Sequence, residues 1–345
     1  MRRLIDRLRE KHGLTADQYR ALLLMRDPGD VEYLVEQARD VAQEQFGKGI
    51  FLRGLIELTN ACRNDCLYCG IRRSNGRLMR YTLTREQVLA SCEQGYALGF
   101  RTFVLQGGEW GEERSPWIAE LIRKIKRRWP ECAITLSLGE HPRETYAMWR
   151  EAGADRYLLR HETHNEQLYS LLHPVGMTAA HRLQCLDRLK ELGFQVGAGI
   201  MVGAPFQTIN SIIEDIRYLV AFKPHMIGMG PFIPHHDTPF ARFPAGSVGM
   251  TARLYAIMRL ALPHALIPST TAMASLSPDG RLRGILAGAN VVMPNLSPED
   301  NRKQYALYDN KAALGAESAQ GIKALADELA TIGYHIDWSR GDFPG

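Results

Sequence analysis

The chain has 345 residues, 45% of them hydrophobic and 23% charged, with a formal net charge of +4 and no long polar or repetitive tract. Such a composition excludes global disorder and allows a large core, while the densest basic run, Arg123 to Arg128, reads as a solvated helix face and gives no footprint for nucleic acid. The start, MRRLIDRLREKHGL, is too charged for a secretory signal, and no apolar stretch reaches the roughly eighteen residues of a membrane span, so a soluble, cytoplasmic protein is expected.

Residues 1–49 read as an N-terminal helical cap of short helices, with Thr15 and Pro28 as starting signals. From 50 to 300, short apolar runs alternate with segments of helical period. Strands are predicted to begin near Gly54, Thr102, Ala133, Arg156, Gln195, Met226, Leu266 and Asn290. Between them, Thr84 to Leu98, Pro116 to Trp129, Thr178 to Leu192 and Thr208 to Phe222 carry apolar residues three and four apart, several preceded by Ser, Thr or Asn caps. Eight such units without a break predict an α/β fold of the (β/α)8 TIM-barrel type, with residues 301–345 as a C-terminal helical extension whose helix covers Glu317 to Ile332.

In that fold the chemistry sits at the C-terminal ends of the strands. Those ends are polar here: Gln106-Gly107-Gly108-Glu109, Ser137 to Glu140, Arg160-His161-Glu162, Thr270-Thr271 and Pro294-Asn295. Turn chemistry and helix caps explain Ser, Thr, Asn and Gly, but not the charged Glu109, Arg160 and Glu162 in apolar surroundings. His161 follows Arg160 and therefore faces the other way in a strand; it reads as a core histidine, with Arg160 entering the barrel. His235, His236 and Asp237 lie between Pro234 and Pro239, which favours a loop over a metal site, and Met201, Met226 and Met229 read as core filling.

Three of the six cysteines, Cys62, Cys66 and Cys69, crowd into eight residues directly after the first barrel strand; Cys92, Cys132 and Cys185 lie far apart. Clustering in a chain without a secretory signal favours metal ligation. Zinc would want a fourth Cys or His at matching spacing, and inert core cysteines do not suit a loop containing Arg63, Asn64 and Asp65. Three thiolates on a four-iron cubane leave one iron open, and an open iron can chelate a small molecule and pass an electron into it.

The CxxxCxxC triad, with the aromatic Tyr68 before its last cysteine, resembles the radical S-adenosylmethionine (SAM) superfamily, as does the glycine turn Gly107-Gly108-Glu109. The segments ELTNACRNDCLYCGIRR, VLQGGE, ITLSLGE, GADRYLLRHET, GIMVGAPFQT, IGMGPFIPHHDTP, IPSTTAM and GANVVMPN, in this order, resemble the HydE family of FeFe-hydrogenase maturases over essentially residues 15–335, with methylornithine synthase and biotin synthase as nearest relatives.

The resemblance implies one 4Fe–4S cluster on Cys62, Cys66 and Cys69. It places SAM against Tyr68, Gly107, Gly108, Glu109, Ser137, Glu162 (ribose) and Arg182 (carboxylate), and substrate against Gln106, Arg160, Thr270 and Thr271. It further implies reductive cleavage of SAM to a 5′-deoxyadenosyl radical, an external one-electron reductant, a small-molecule or organometallic substrate, and other hydrogenase maturases as partners. Some members of that family carry three more cysteines near the C-terminus; Tyr308 to Ile322 contains none here, so a single cluster is expected. A mutase or synthase acting on an amino-acid-derived substrate, or an iron–sulfur carrier without turnover, are the rival readings.

Overall fold

In the computed structural model, residues 1–311 and 315–344 are described. The chain opens with α1 (Arg2–Lys11), α2 (Ala16–Leu23) and α3 (Pro28–Phe46). Thr15 caps α2 through a reciprocal exchange with Gln18, and Asp27 caps α3 ahead of Pro28, so both helix starts follow from local chemistry.

A first strand, β1 (Gly49–Leu52), leads into β2 (Gly54–Thr59), followed by α4 (Arg85–Ala97), β3 (Thr102–Gly107), α5 (Ser115–Arg128), β4 (Ala133–Ser137), α6 (Arg143–Glu151) and β5 (Arg156–Leu158). Then come α7 (Glu166–Leu172), α8 (Ala179–Glu191), β6 (Gln195–Ala198), β7 (Met201–Val202), α9 (Ile209–Phe222), β8 (Met226–Ile227), β9 (Gly230–Pro231) and α10 (Val248–Ala261). The chain finishes with α11 (Thr271–Leu276), α12 (Gly280–Leu286), β10 (Val291–Val292), α13 (Glu299–Arg302), α14 (Ile322–Ala330) and β11 (His335–Asp337).

Strands β2, β3, β4, β5, β6 and β8 form one parallel sheet in that order. Single parallel bridges continue it: Met226 to Leu266, Pro268 to Val291, and Asn295 back to Leu55. Eight segments therefore complete the ring, a (β/α)8 barrel of TIM type whose last two staves are held by bridges rather than long ladders. Along β2 and β3, Ile56, Leu58, Phe103 and Leu105 are buried in the same apolar core as Val88, Ile118, Leu121 and Ile122 of the surrounding helices.

Two features depart from the sequence reading. The closing helix is shorter than Glu317 to Ile332 because 3-10 turns at Gly315–Glu317 and Ala319–Gly321 precede it. Beyond it, β11 pairs with β1 beneath the barrel, a strand of three residues too short to give a periodic signal. No helix among the described residues is long and apolar enough to cross a membrane.

Candidate active site

The cysteine loop leaves β2 at the C-terminal mouth of the barrel, and Cys62, Cys66 and Cys69 are all half-buried. One guanidinium organises it: Arg80 donates to the carbonyls of Asn60 (2.5 Å), Ile71 (2.8 Å), Arg72 (2.6 Å) and Asn75 (3.1 Å). Within the loop, the Asp65 carboxylate accepts from Arg72 (2.8 Å) and from the Ser74 hydroxyl (2.8 Å) and backbone N–H (3.0 Å), and Arg72 first among these holds it well below the usual carboxylate range. Cys62 Sγ accepts from the Glu109 N–H at 3.4 Å.

The glycine turn after β3 packs on this loop. A Cβ on Gly108 would stand 2.1 Å from the Ala61 carbonyl oxygen and 2.8 Å from Cys62 Cβ, so the missing side chain first of all lets two backbones meet. The neighbouring Glu109 is buried and spans the rim: one oxygen accepts from Arg63 Nε (2.9 Å), the other from the Glu140 N–H (2.7 Å).

Glu140, which the sequence reading left among ordinary strand-end residues, pairs with Arg182 of α8, and Arg182 Nη1 also donates to the Arg160 carbonyl at 2.7 Å. Arg160 Nη2 donates to Glu162 Oε2 and to the Ile200 carbonyl, each at 2.9 Å, while its Nε is buried without a partner among the described residues. Glu162 has φ of +65°, an uncommon backbone state for a residue with a side chain and one that clusters at functional sites. His161 faces outward as expected, fully buried beside the Tyr218 ring (4.9 Å).

Tyr68 sits edge-on to His173 (5.5 Å between rings), with its hydroxyl 3.3 Å from Nε2. The other nitrogen, Nδ1, lies 2.9 Å from the Tyr169 carbonyl, which can only accept; Nδ1 therefore carries the proton and Nε2 accepts from Tyr68. Burial first, then the Arg182 charge, lowers the His173 pKa to about 3 and keeps the ring neutral.

Deeper in the barrel, Gln106 Nε2 approaches the Tyr305 hydroxyl (3.3 Å), and Thr270 Oγ1 is buried without a hydrogen-bond partner among the described residues. Thr271, expected to face substrate, instead donates its hydroxyl to Glu317 at 2.7 Å, because it opens α11 just where the C-terminal segment passes. Ser137 ends β4 in register with Gln106.

A group for these thiols must match both their spread and their chemistry. Burial pushes all three up, Cys69 to about 12; Cys62 raises Cys66 and Cys69 further, so bare thiolates are costly and a cationic soft metal centre offsets that cost. Among the described residues, the trio of His, Cys, Asp or Glu whose ligand atoms converge within 4.8 Å is His235, His236 and Asp309; the three thiols are spread more widely. Zn–S bonds of about 2.3 Å would hold thiolates roughly 3.8 Å apart, so the spread suits a multi-iron cluster better than one zinc. The His-Asp trio sits at the rim, where His236 Nδ1 lies 2.6 Å from Asp309, and His235 Nδ1 accepts from the Asp237 N–H (3.1 Å). That bond puts the His235 proton on Nε2, the nitrogen a metal would need.

A parallel barrel with three spread thiols at its mouth and paired charges around them defines a radical SAM enzyme. Residues 56–219 match the model of the Radical SAM superfamily. The [FeFe] hydrogenase maturase subunit HydE of Thermotoga maritima is 40% identical over 332 residues, covering 96% of this chain and 94% of the relative. The 3-methylornithine synthase of Methanosarcina acetivorans is 30% identical, covering 95% and 93%. Among solved structures, the crystal structure of methylornithine synthase (PylB) superposes with a TM-score of 0.85 at 28% identity, covering 97% of both chains. This chain belongs to the HydE family of radical SAM enzymes. Membership implies a 4Fe–4S cluster and SAM.

Proposed function

We propose that the protein is a cytoplasmic maturase for FeFe-hydrogenase that carries a single 4Fe–4S cluster on Cys62, Cys66 and Cys69. The observation that carries this reading is the 40% identity to HydE along 96% of the chain, in which the spread thiol triad lies on a loop held at the barrel mouth. Cys62, Cys66 and Cys69 would hold the cluster, which, given one electron from an external reductant, would supply reductive cleavage of bound SAM to methionine and a 5′-deoxyadenosyl radical.

The chain's own residues bind and orient. Arg182 presents Nη2, which has no partner among the described residues, to the SAM carboxylate, and Glu162 keeps Oε1 for the ribose hydroxyls. Tyr68, the Gly107 backbone, Ser137 and the rim carboxylate Glu109 line the same pocket, with Gly108 and Glu109 also fastening the cysteine loop. Arg160, Gln106 and Thr270 meet the substrate, a small-molecule or organometallic species, and the barrel wall keeps water from it.

Anaerobic reconstitution tests the proposal: about four irons per chain, SAM-dependent change of the reduced cluster's EPR signal, and 5′-deoxyadenosine on reduction are expected. Addition to a hydrogenase-maturation mixture lacking HydE should restore active hydrogenase. Turnover of a free amino acid to a rearranged product, with no maturation, would favour the 3-methylornithine synthase type of chemistry instead; iron binding without SAM cleavage would leave a carrier.

A further inference from the structure

Glu57 lies in the middle of β2 with no solvent exposure, in register with Gln106 on β3. Its Oε2 accepts from Asn295 Nδ2 at 2.9 Å, and its Oε1 accepts from the ammonium of Lys311, 254 positions further along the chain. The same ammonium donates to the Tyr305 carbonyl (3.2 Å) and stands 4.7 Å over the Tyr305 ring. A carboxylate, a carbonyl and an aromatic face around one nitrogen make a receptor for a primary ammonium, and Lys311 fills it with 11% of its side chain exposed.

Lys311 reaches this depth on a strap that roofs the barrel. The Gln304 carbonyl accepts from Asn60 Nδ2 (2.9 Å), the Leu307 carbonyl from the Gly70 N–H (2.9 Å), and the Asp309 N–H donates to the Pro234 carbonyl (3.1 Å). Gln106, in register beside Glu57, reaches the hydroxyl of the same Tyr305 at 3.3 Å, so the ammonium box adjoins the part of the barrel that Gln106 lines.

We propose that Lys311 is a specificity-determining residue that occupies, from within the chain, an ammonium subsite built on Glu57. With Lys311 in place the box is filled and electrically balanced, and the chamber takes substrates that bring no free primary ammonium to that wall. Without it, an uncompensated carboxylate faces the chamber and recruits an alkylammonium ion. This inference rests on the chamber being the substrate's, as proposed above, but its test reads binding rather than turnover, so the two can fail separately.

The test uses reconstituted holoprotein and propylammonium chloride as the probe, with 1-propanol as the neutral control and thermal midpoint as the readout. Lys311→Ala should gain about 2 °C at a tenfold excess of amine over its Kd, and nothing from propanol. The parent protein and the double variant Lys311→Ala/Glu57→Gln should not respond. If Lys311→Ala fails to fold alone, the same titration is read as amine-dependent recovery of folded holoprotein. Lys311→Met, which fills the space without charge, should then fold without any amine response. An unresponsive Lys311→Ala, or equal responses in all variants, overturns the assignment.

Discussion

Replacing Gly108 by Ala separates two uses of the glycine turn: close approach to a cofactor, and close approach to the cysteine loop. The added Cβ would fall roughly 0.9 Å inside the 3.0 Å that real Cβ atoms respect, against the Ala61 carbonyl oxygen, with Cys62 Cβ crowded as well. Both neighbours are fixed, since the Gly108 N–H donates to the Thr59 carbonyl (3.0 Å) and the Arg63 N–H to the Glu109 carbonyl (2.9 Å). Relief therefore requires the loop to move, at the upper end of the usual overpacking cost, about 3 kcal/mol, or roughly a 4 °C fall in the midpoint of a chain this large. Gly107→Ala is the internal control. Its Cβ meets Thr59 Cγ2 at 3.2 Å, a contact that a small adjustment absorbs at under about 1 kcal/mol. Differential scanning of the metal-free proteins and iron analysis after reconstitution give the comparison. A Gly108→Ala protein with parental midpoint and full iron content, but weakened SAM binding, would refute the packing argument and return the glycine to the cofactor.

Alanine at Cys62, Cys66 or Cys69 should abolish 5′-deoxyadenosine formation and cluster absorbance, whereas alanine at the fully buried Cys92 or Cys185, or at the buried Cys132, should leave iron content unchanged; loss in all six would count against the triad. Arg182→Ala should weaken SAM binding by about thirtyfold or more, the cost of stripping one partner from a desolvated charge pair, while Arg160→Ala should leave SAM binding within about threefold and reduce substrate turnover; isothermal titration showing the reverse pattern would interchange the two roles. His173 has a folded pKa depressed below its ordinary 6.5, so its contribution to stability is present above pH 6.5 and is lost as pH falls from there towards about 3. Urea unfolding of the parent relative to His173→Gln should show that advantage shrinking by about 1.4 kcal/mol per pH unit below pH 6, and a pH-independent difference would show that the ring is not held neutral by burial.

The strands and the thiol triad were legible because each is a local signal. A short apolar run between segments of helical period needs no knowledge of the rest of the chain, and neither does CxxxCxxC. What was not legible are partners brought together by ring closure. Glu140 and Arg182 are 42 positions apart, and Glu57 and Lys311 are 254 apart. Arg80 holds the loop through backbone carbonyls, which carry no sequence signature. Glu57 could nonetheless have been found: GLIELTN places one carboxylate inside an apolar run, the same anomaly that singled out Glu109 and Glu162. Thr271 shows the converse limit. A threonine at a strand end is equally consistent with a substrate contact and with a strut to Glu317, and the choice depends on where the C-terminal segment runs.

The cysteine loop is fastened on three sides by elements that belong to different parts of the barrel: Arg80 from the loop's own return, Glu109 with Gly108 from the second stave, and Leu307 from the strap. Apart from the Arg63–Glu109 ion pair, these fastenings are hydrogen bonds to backbone or backbone-to-backbone contacts, formed by the chain itself. A loop held in this way keeps its thiols apart at low cost even though burial and mutual repulsion make them poor thiolates. On the proposed reading, a cluster held by these thiols would offset that electrostatic cost without the loop having to refold. The strap that contributes Leu307 to this frame also carries Lys311 to Glu57, so one segment of about eight residues, Gln304 to Lys311, touches both the cysteine loop and the middle of β2.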